Sequence, residues 1–218
     1  MKKSKYVKNL VTKSNFFSYE TYIFDFDGTL VLSNQIKRDG FDMIAKEYEN
    51  GLDIIAEILK NNKKANRFLI IEKFVDVICT NSNKWKNLYE KFIKTYEKYT
   101  VQKIVELKPI NGSIELLSKL KMMGKKLYIN SATPMKSLSL TLNRRNLNNN
   151  FEQILGGEDK KIENLKLIQS HSKSHKKRMI MIGDGLDDFQ ASETFNINFY
   201  PVGLELTGRP TDFSNLVI

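Results

Sequence analysis

The 218-residue chain holds a single cysteine, Cys79, which excludes an intrachain disulfide and any metal cluster built on several thiolates. Long apolar runs are missing too. Stretches such as Phe68-Leu69-Ile70-Ile71 fall far short of the roughly 20 residues that a membrane span requires. The opening MKKSKYVKNLVTKSNFFSYE is basic at its start but lacks the apolar core, about 7 residues or more, of a secretory signal. No membrane association and a cytoplasmic location are therefore expected. Histidine is scarce: His171 and His175 stand four apart, with no acid in the pattern and Ser-Lys-Ser between them. The pair reads as a solvated helix end or loop before an apolar strand, and a zinc site is not expected. There is no internal repeat and no low-complexity linker. Acids are the minority, 25 against 35 Lys plus Arg, for a net charge of +10. That sign favours anionic partners such as phosphates. The lysines are scattered and gather on no evident face, so nucleic acid is not the expected partner.

What is present is an ordinary globular composition, 41% apolar and 28% charged, sufficient for one packed core with or without a smaller inserted domain. Thr21-Tyr22-Ile23-Phe24 is aromatic and β-branched and stops at the turn-prone Asp27-Gly28, which predicts a short buried strand. From about Ser33 to Glu106 the apolar residues recur at helical spacing. Phe41, Ile44, Ala45 and Tyr48 form one stripe; Leu52, Ile55, Ala56 and Leu59 a second; Phe68, Ile71, Val75 and Ile78 a third. Trp85, Leu88, Phe92, Tyr96 and Tyr99 make a fourth, and these aromatics read as bundle core and not as a base-stacking platform. After Pro109 helix and strand alternate, with strands predicted near 127–130, 153–155, 179–182 and 199–202. Helices are predicted before 127 and at about 134–145, 162–169 and 187–194. Alternation of this kind implies a parallel sheet.

In an open parallel sheet the loops at the carboxyl ends of the strands share one crevice, and the chemistry-bearing residues all follow predicted strands. In Asp25-Phe26-Asp27-Gly28-Thr29-Leu30, strand alternation sends Asp25 and Asp27 to one side. An isolated Asp-Gly is usually a turn. The whole run after an apolar strand resembles the first motif of the haloacid dehalogenase superfamily. Three further segments match that family's pattern: Tyr128-Ile129-Asn130-Ser131-Ala132-Thr133-Pro134, Asp159-Lys160-Lys161-Ile162-Glu163-Asn164-Leu165, and Met179 to Asp188 with its Gly183-Asp184-Gly185-Leu186-Asp187-Asp188 end. The resemblance covers most of residues 20–202 and points to the branch that includes phosphoglycolate phosphatase and β-phosphoglucomutase.

The resemblance implies an α/β fold: a Rossmann-like parallel-sheet core, residues 1–32 plus 107–218, with an inserted four-helix-bundle cap, residues 33–106. It implies that Asp25 is a nucleophile that takes the phosphoryl group, and Asp27 the general acid and base. An acid at position 27 argues against dehalogenase, phosphonatase and ion-pump chemistry. Ser131 would hydrogen-bond the transferring phosphoryl group, with Phe26, Gly28 and Ala132 as further phosphate-binding positions. Lys161, favoured over its neighbour Lys160 by its register to Asn164 and Leu165, would orient nucleophile and phosphate. Asp25, Asp27 (through its carbonyl), Asp184 and Asp188 would hold Mg²⁺, with Asp187 as a supporting or helix-capping residue. A metal is needed: a carboxylate and a doubly charged phosphate about 3.5 Å apart repel by roughly 9 kcal/mol at an effective dielectric of 20. The segment Ser33 to Asp39 offers Lys37 and Arg38 as substrate contacts. The expected partner is a small phosphorylated metabolite, a sugar or polyol phosphate, in a pathway such as surface-polysaccharide synthesis. Two alternatives stand beside phosphatase: a sugar phosphomutase using the same acid pair, and a non-enzymatic basic nucleic-acid binding protein.

Overall fold

The computed structural model describes residues 11, 13–62 and 65–217; the basic residues 1–10 lie outside the described residues. The chain forms two compact units, Met1–Leu32 with Leu107–Ile218, and Ser33–Glu106. Along the chain the helices are α1 (Lys13–Phe16); then α2 (Asn34–Ala45), α3 (Gly51–Asn61), α4 (Arg67–Ile78) and α5 (Ser82–Glu106) of the second unit; then α6 (Ser113–Met122), α7 (Met135–Arg144), α8 (Lys161–Ser172), α9 (Leu186–Phe195), α10 (Gly203–Thr207) and α11 (Ser214–Val217). No described helix is long and apolar enough to cross a membrane.

The first unit is a Rossmann-like α/β fold. Its strands β1 (Thr21–Phe24), β2 (Lys126–Asn130), β3 (Gln153–Leu155), β4 (Met179–Gly183) and β5 (Asn198–Pro201) form one sheet in the order β3-β2-β1-β4-β5, every pair parallel. The apolar runs of β1 and β4 are buried throughout, as expected of strands covered on both faces. Ile23, Tyr128, Met179 and Met181 pack with Leu165 and Ile168 of α8 and Ala191 and Phe195 of α9. On the other side Tyr22 donates to the Phe16 carbonyl at 2.6 Å, and Phe16 meets the Tyr200 ring edge-on at 4.9 Å. Phe24 pairs with Ile129 on one side and Ile182 on the other, so β1 is the central strand. Strand order reverses beside it, the place where open α/β sheets form their crevice.

The second unit buries Phe41, Ile44, Ile55, Ile70, Ile71, Phe74, Phe92 and Tyr96 in its own apolar core. Phe41 and Tyr96 lie 4.6 Å apart, and each such burial contributes about 1.5–3 kcal/mol. Three details differ from the sequence expectation. Leu52, at the first turn of α3, is exposed and leaves the stripe to the residues after it. Tyr48 lies beyond the end of α2, although its ring still packs on Phe92 at 5.6 Å. In α4 the buried stripe is Ile70, Ile71, Phe74 and Val75, while Phe68 is exposed. The unbroken run Phe68 to Ile71 supports several stripes equally well, and packing selected one of them. In the first unit Pro134 stands just before α7 and not within it.

Candidate active site

Four loops at the carboxyl ends of β1, β2, β3 and β4 meet around β1. The Asp25 N–H donates to the Ile182 carbonyl at 2.9 Å, which extends the β1–β4 pairing by one residue and fixes where the Asp25 carboxylate emerges. The chain then turns at Gly28, whose φ is 77° and whose N–H donates to the Val31 carbonyl at 2.7 Å. A side chain at this position would carry left-handed strain and overlap the Asp184 carboxylate. Gly203, at φ 76°, likewise leaves no room for a side chain, since a Cβ there would stand only 2.8 Å from the Asp184 Cβ. Asp184 is thus packed between two glycine turns.

Lys161 opens α8 and carries its ammonium into the acids. Its Nζ lies 3.3 Å from Asp25 Oδ1 and 2.9 Å from Asp187 Oδ2, and it also pairs with Asp188 Oδ1. Lys160 is exposed at the residue before the helix. The Asp188 side chain is fully buried, and its Oδ2 accepts from the Gly185 N–H at 3.1 Å. Closure of the α9 amino end therefore falls to Asp188, whereas the Asp187 side chain is 59% exposed and serves Lys161. Burial pushes Asp25 well above the usual carboxylate range. Lys161 counters that rise, and Asp188, Asp184 and Asp27 add to it. Burial likewise pushes Asp188 up to about 7. Burial alone would lower Lys161, but Asp25, Asp188 and Asp187 hold it well above the ordinary lysine value.

Asp25, Asp184 and Asp188 each offer a carboxylate oxygen, all within 4.8 Å of one another. Asp25 and Asp188, both raised by burial and meeting one ammonium, with Asp184 beside them, are a donor set that a hard cation fits, since an all-oxygen ligand shell suits such ions.

The second loop places Ser131 in the interior, its Oγ accepting from the Thr133 N–H at 3.1 Å. Ala132 is exposed. The Phe26 side chain is buried in the core, 1% exposed, so only its backbone faces the loop. Lys37 and Arg38 stand on α2 of the other unit, where Arg38 pairs with Asp42 at 3.7 Å; the core cluster forms without them. Three threonines escape the sequence reading. Thr133 Oγ1 donates to Asp27 Oδ2 at 2.6 Å, Thr29 Oγ1 to Asp184 Oδ1 at 3.3 Å, and Thr211 Oγ1 to the Gly28 carbonyl at 2.8 Å. Thr29, inside the Asp-Gly-Thr run, and Thr133, two residues after Ser131, lie within family-like segments, whereas Thr211 lies in none. The two histidines lie away from the acids: His171 accepts or donates with Tyr128 Oη at 2.9 Å, and His175 accepts from the Lys177 N–H.

Among solved structures the fold is similar to β-phosphoglucomutase from Clostridium difficile, with 18% identity, a TM-score of 0.66, and 87% of each chain covered. It is similar to CbbY from Rhodobacter sphaeroides in complex with phosphate, with 15% identity, a TM-score of 0.67, and 88% of this chain and 89% of that chain covered. YfnB from Bacillus subtilis, bound to magnesium, gives 17% identity and a TM-score of 0.66, covering 92% of this chain and 99% of that one. No curated protein matches by sequence. At these identities the likenesses concern the fold alone. The family of haloacid dehalogenase-like hydrolases matches residues 22–202, a span that starts at β1 and takes in every loop of the acid cluster. The chain therefore belongs to the haloacid dehalogenase-like hydrolase family.

Proposed function

We propose that the protein is a Mg²⁺-dependent phosphatase that hydrolyses a small phosphate monoester, a sugar or polyol phosphate, through a phospho-aspartate on Asp25. The observation that carries this reading is the Lys161 ammonium 3.3 Å from Asp25 Oδ1, beside acids whose carboxylate oxygens gather within 4.8 Å. A nucleophilic carboxylate must approach a dianion, and such an approach needs positive charge on both.

In the first step an Asp25 carboxylate oxygen attacks phosphorus while the P–O bond to the leaving group breaks. The leaving oxygen keeps the bonding pair and takes a proton from Asp27. In the second step a water oxygen attacks the same phosphorus, its proton passes to Asp27, and Asp25 departs as a carboxylate with inorganic phosphate released. Lys161 holds Asp25 and balances the transferring phosphoryl charge, while Ser131 hydrogen-bonds that group. Asp25, Asp184 and Asp188, with the Asp27 carbonyl, are the residues that would hold Mg²⁺. The bound ion would offset the repulsion of roughly 9 kcal/mol between carboxylate and phosphate. We further propose that the helical unit, residues 33–106, acts as a cap that selects the leaving group, with Lys37 and Arg38 as its candidates for contacting the substrate.

The test is phosphate release from a panel of monoesters with and without Mg²⁺. Metal-dependent release that disappears in Asp25→Asn is expected; normal turnover by that variant would remove Asp25 as nucleophile. A phosphomutase would use the same acids, and the likeness to β-phosphoglucomutase gives that reading a place in the assay. Isomerisation of a hexose phosphate with a bisphosphorylated activator, without phosphate release, would replace hydrolysis with transfer. A nucleic-acid binding protein has no use for buried acids around one lysine.

A further inference from the structure

We propose that Thr133 is a positioning residue for Asp27, fixing the direction from which that carboxyl group delivers its proton to the leaving oxygen. The proposal rests on the phospho-aspartate reading above and adds a residue that the reading does not contain.

Thr133 joins three loops. Its hydroxyl donates to Asp27 Oδ2 at 2.6 Å, across 106 residues of sequence. Its N–H donates to Ser131 Oγ at 3.1 Å, and its carbonyl accepts from the Gly157 N–H at 3.0 Å in the loop that leads to Lys161. Both side chains are buried, Thr133 at 7% and Asp27 at 8% exposed. A short bond from a neutral hydroxyl to a buried carboxylate is worth more than the same bond in water, and losing it leaves an oxygen without that donor. The residue is also rigid. Threonine is branched at Cβ, which restricts χ1, and Pro134 follows it, which disfavours the helical region for Thr133 and so narrows its backbone. The donor is therefore held in place before any substrate arrives, the condition under which positioning lowers a barrier. Two of these three contacts belong to the Thr133 backbone, so replacing its side chain removes the bond to Asp27 and leaves those two in place.

A proton donor matters in proportion to how badly the leaving group needs the proton. Nitrophenolate departs without one and an alkoxide does not. The experiment compares kcat/KM, which reports the steps up to phospho-enzyme formation, for p-nitrophenyl phosphate and for the alkyl phosphate of the panel that turns over fastest. In Thr133→Val, isosteric but without the hydroxyl, the alkyl ester is expected to lose on the order of tenfold to a hundredfold more than the aryl ester, within the range general acids contribute. Thr133→Ser restores the hydroxyl and is expected to return the ratio to within about threefold of wild type. If Thr133→Val does not fold, the pair Thr133→Ala and Thr133→Ser makes the same comparison.

Equal losses on both esters, or a serine variant that behaves like valine, would overturn the positioning role. Wild-type protein that released phosphate from neither ester would overturn the reading beneath it, and the proposal with it. Wild-type activity with equal losses would overturn the proposal alone.

Discussion

The central sheet carries ion pairs at both ends, and they have little in common. At the amino end Arg178 meets Glu20 at 3.1 Å, with side chains 58% and 42% exposed. At the carboxyl end Lys161 meets Asp25, Asp187 and Asp188, and three of those four side chains are under 10% exposed. The first pair exchanges water for a partner in a medium that screens it, which is worth about 0.2–1 kcal/mol. Lys161, Asp25 and Asp188 have left water, and the acids outnumber the cation. Burial raises both Asp25 and Asp188 in spite of Lys161, so their ionised forms gain no net stability from the pairing. On the function proposed above, the charge at the carboxyl end serves a ligand, whereas the charge at the amino end lies at the surface.

The largest expected effect is at Lys161. In metal-free Lys161→Met the buried acids lose their counter-charge, and chemical denaturation at pH 8 should give a loss of about 3–5 kcal/mol. The loss should be smaller at pH 5, where the acids take up protons. Phosphate release should fall on the order of 10²-fold or more. A variant as stable and as active as wild type would make the two ends of the sheet equivalent.

The next effect is in pH. Asp188 is pushed up to about 7 from its ordinary 3.8. Between those values the folded chain keeps a proton that the unfolded chain has released. Stability from this group is therefore present at the acid side and is lost as pH rises from about 4 to about 7. In metal-free protein, Asp188→Asn should lack that slope and gain relative to wild type between pH 5 and pH 8. Mg²⁺ competes with protons for the same carboxylates, so it should raise the wild-type Tm more at pH 8 than at pH 5. A metal effect independent of pH would break the account of the carboxyl end.

The smallest effect is at the other end. Arg178→Ala should cost under about 1 kcal/mol, shrink further in high salt, and leave phosphate release unchanged.

Much of this was legible in the sequence, for reasons tied to particular residues. β1 begins and ends where its aromatic and β-branched run does, because Asp25 and the Asp27-Gly28 turn stop it. β3 likewise matches its predicted span, and the parallel sheet follows from the alternation after Pro109, while its Rossmann-like form is what the family resemblance implies. The register to Asn164 and Leu165 favours Lys161 over Lys160, and the Lys161 ammonium lies among the acids. What escaped was what periodicity does not encode. The bonds from Thr133 to Asp27 and from Thr211 to Gly28 cross 106 and 183 residues, and a hydroxyl at a loop end looks the same whether it caps a turn or holds a carboxylate. Of the doubled acid, the family resemblance assigns Asp188 to the metal site and leaves Asp187 to support or capping; the structure buries Asp188 and gives it the helix closure as well, because α9 starts at Leu186.

The central claim is that Asp25 carries the phosphoryl group, and one variant exposes it. In Asp27→Asn the general base of the second step is gone, while p-nitrophenyl phosphate needs no acid in the first. Mixing that variant with the aryl ester and Mg²⁺ should give a burst of about one nitrophenolate per chain. The phosphoryl group should then be found, hydroxylamine-labile, on the peptide carrying Asp25. Steady release of nitrophenolate with no burst and no phosphoryl group on Asp25 would contradict the account.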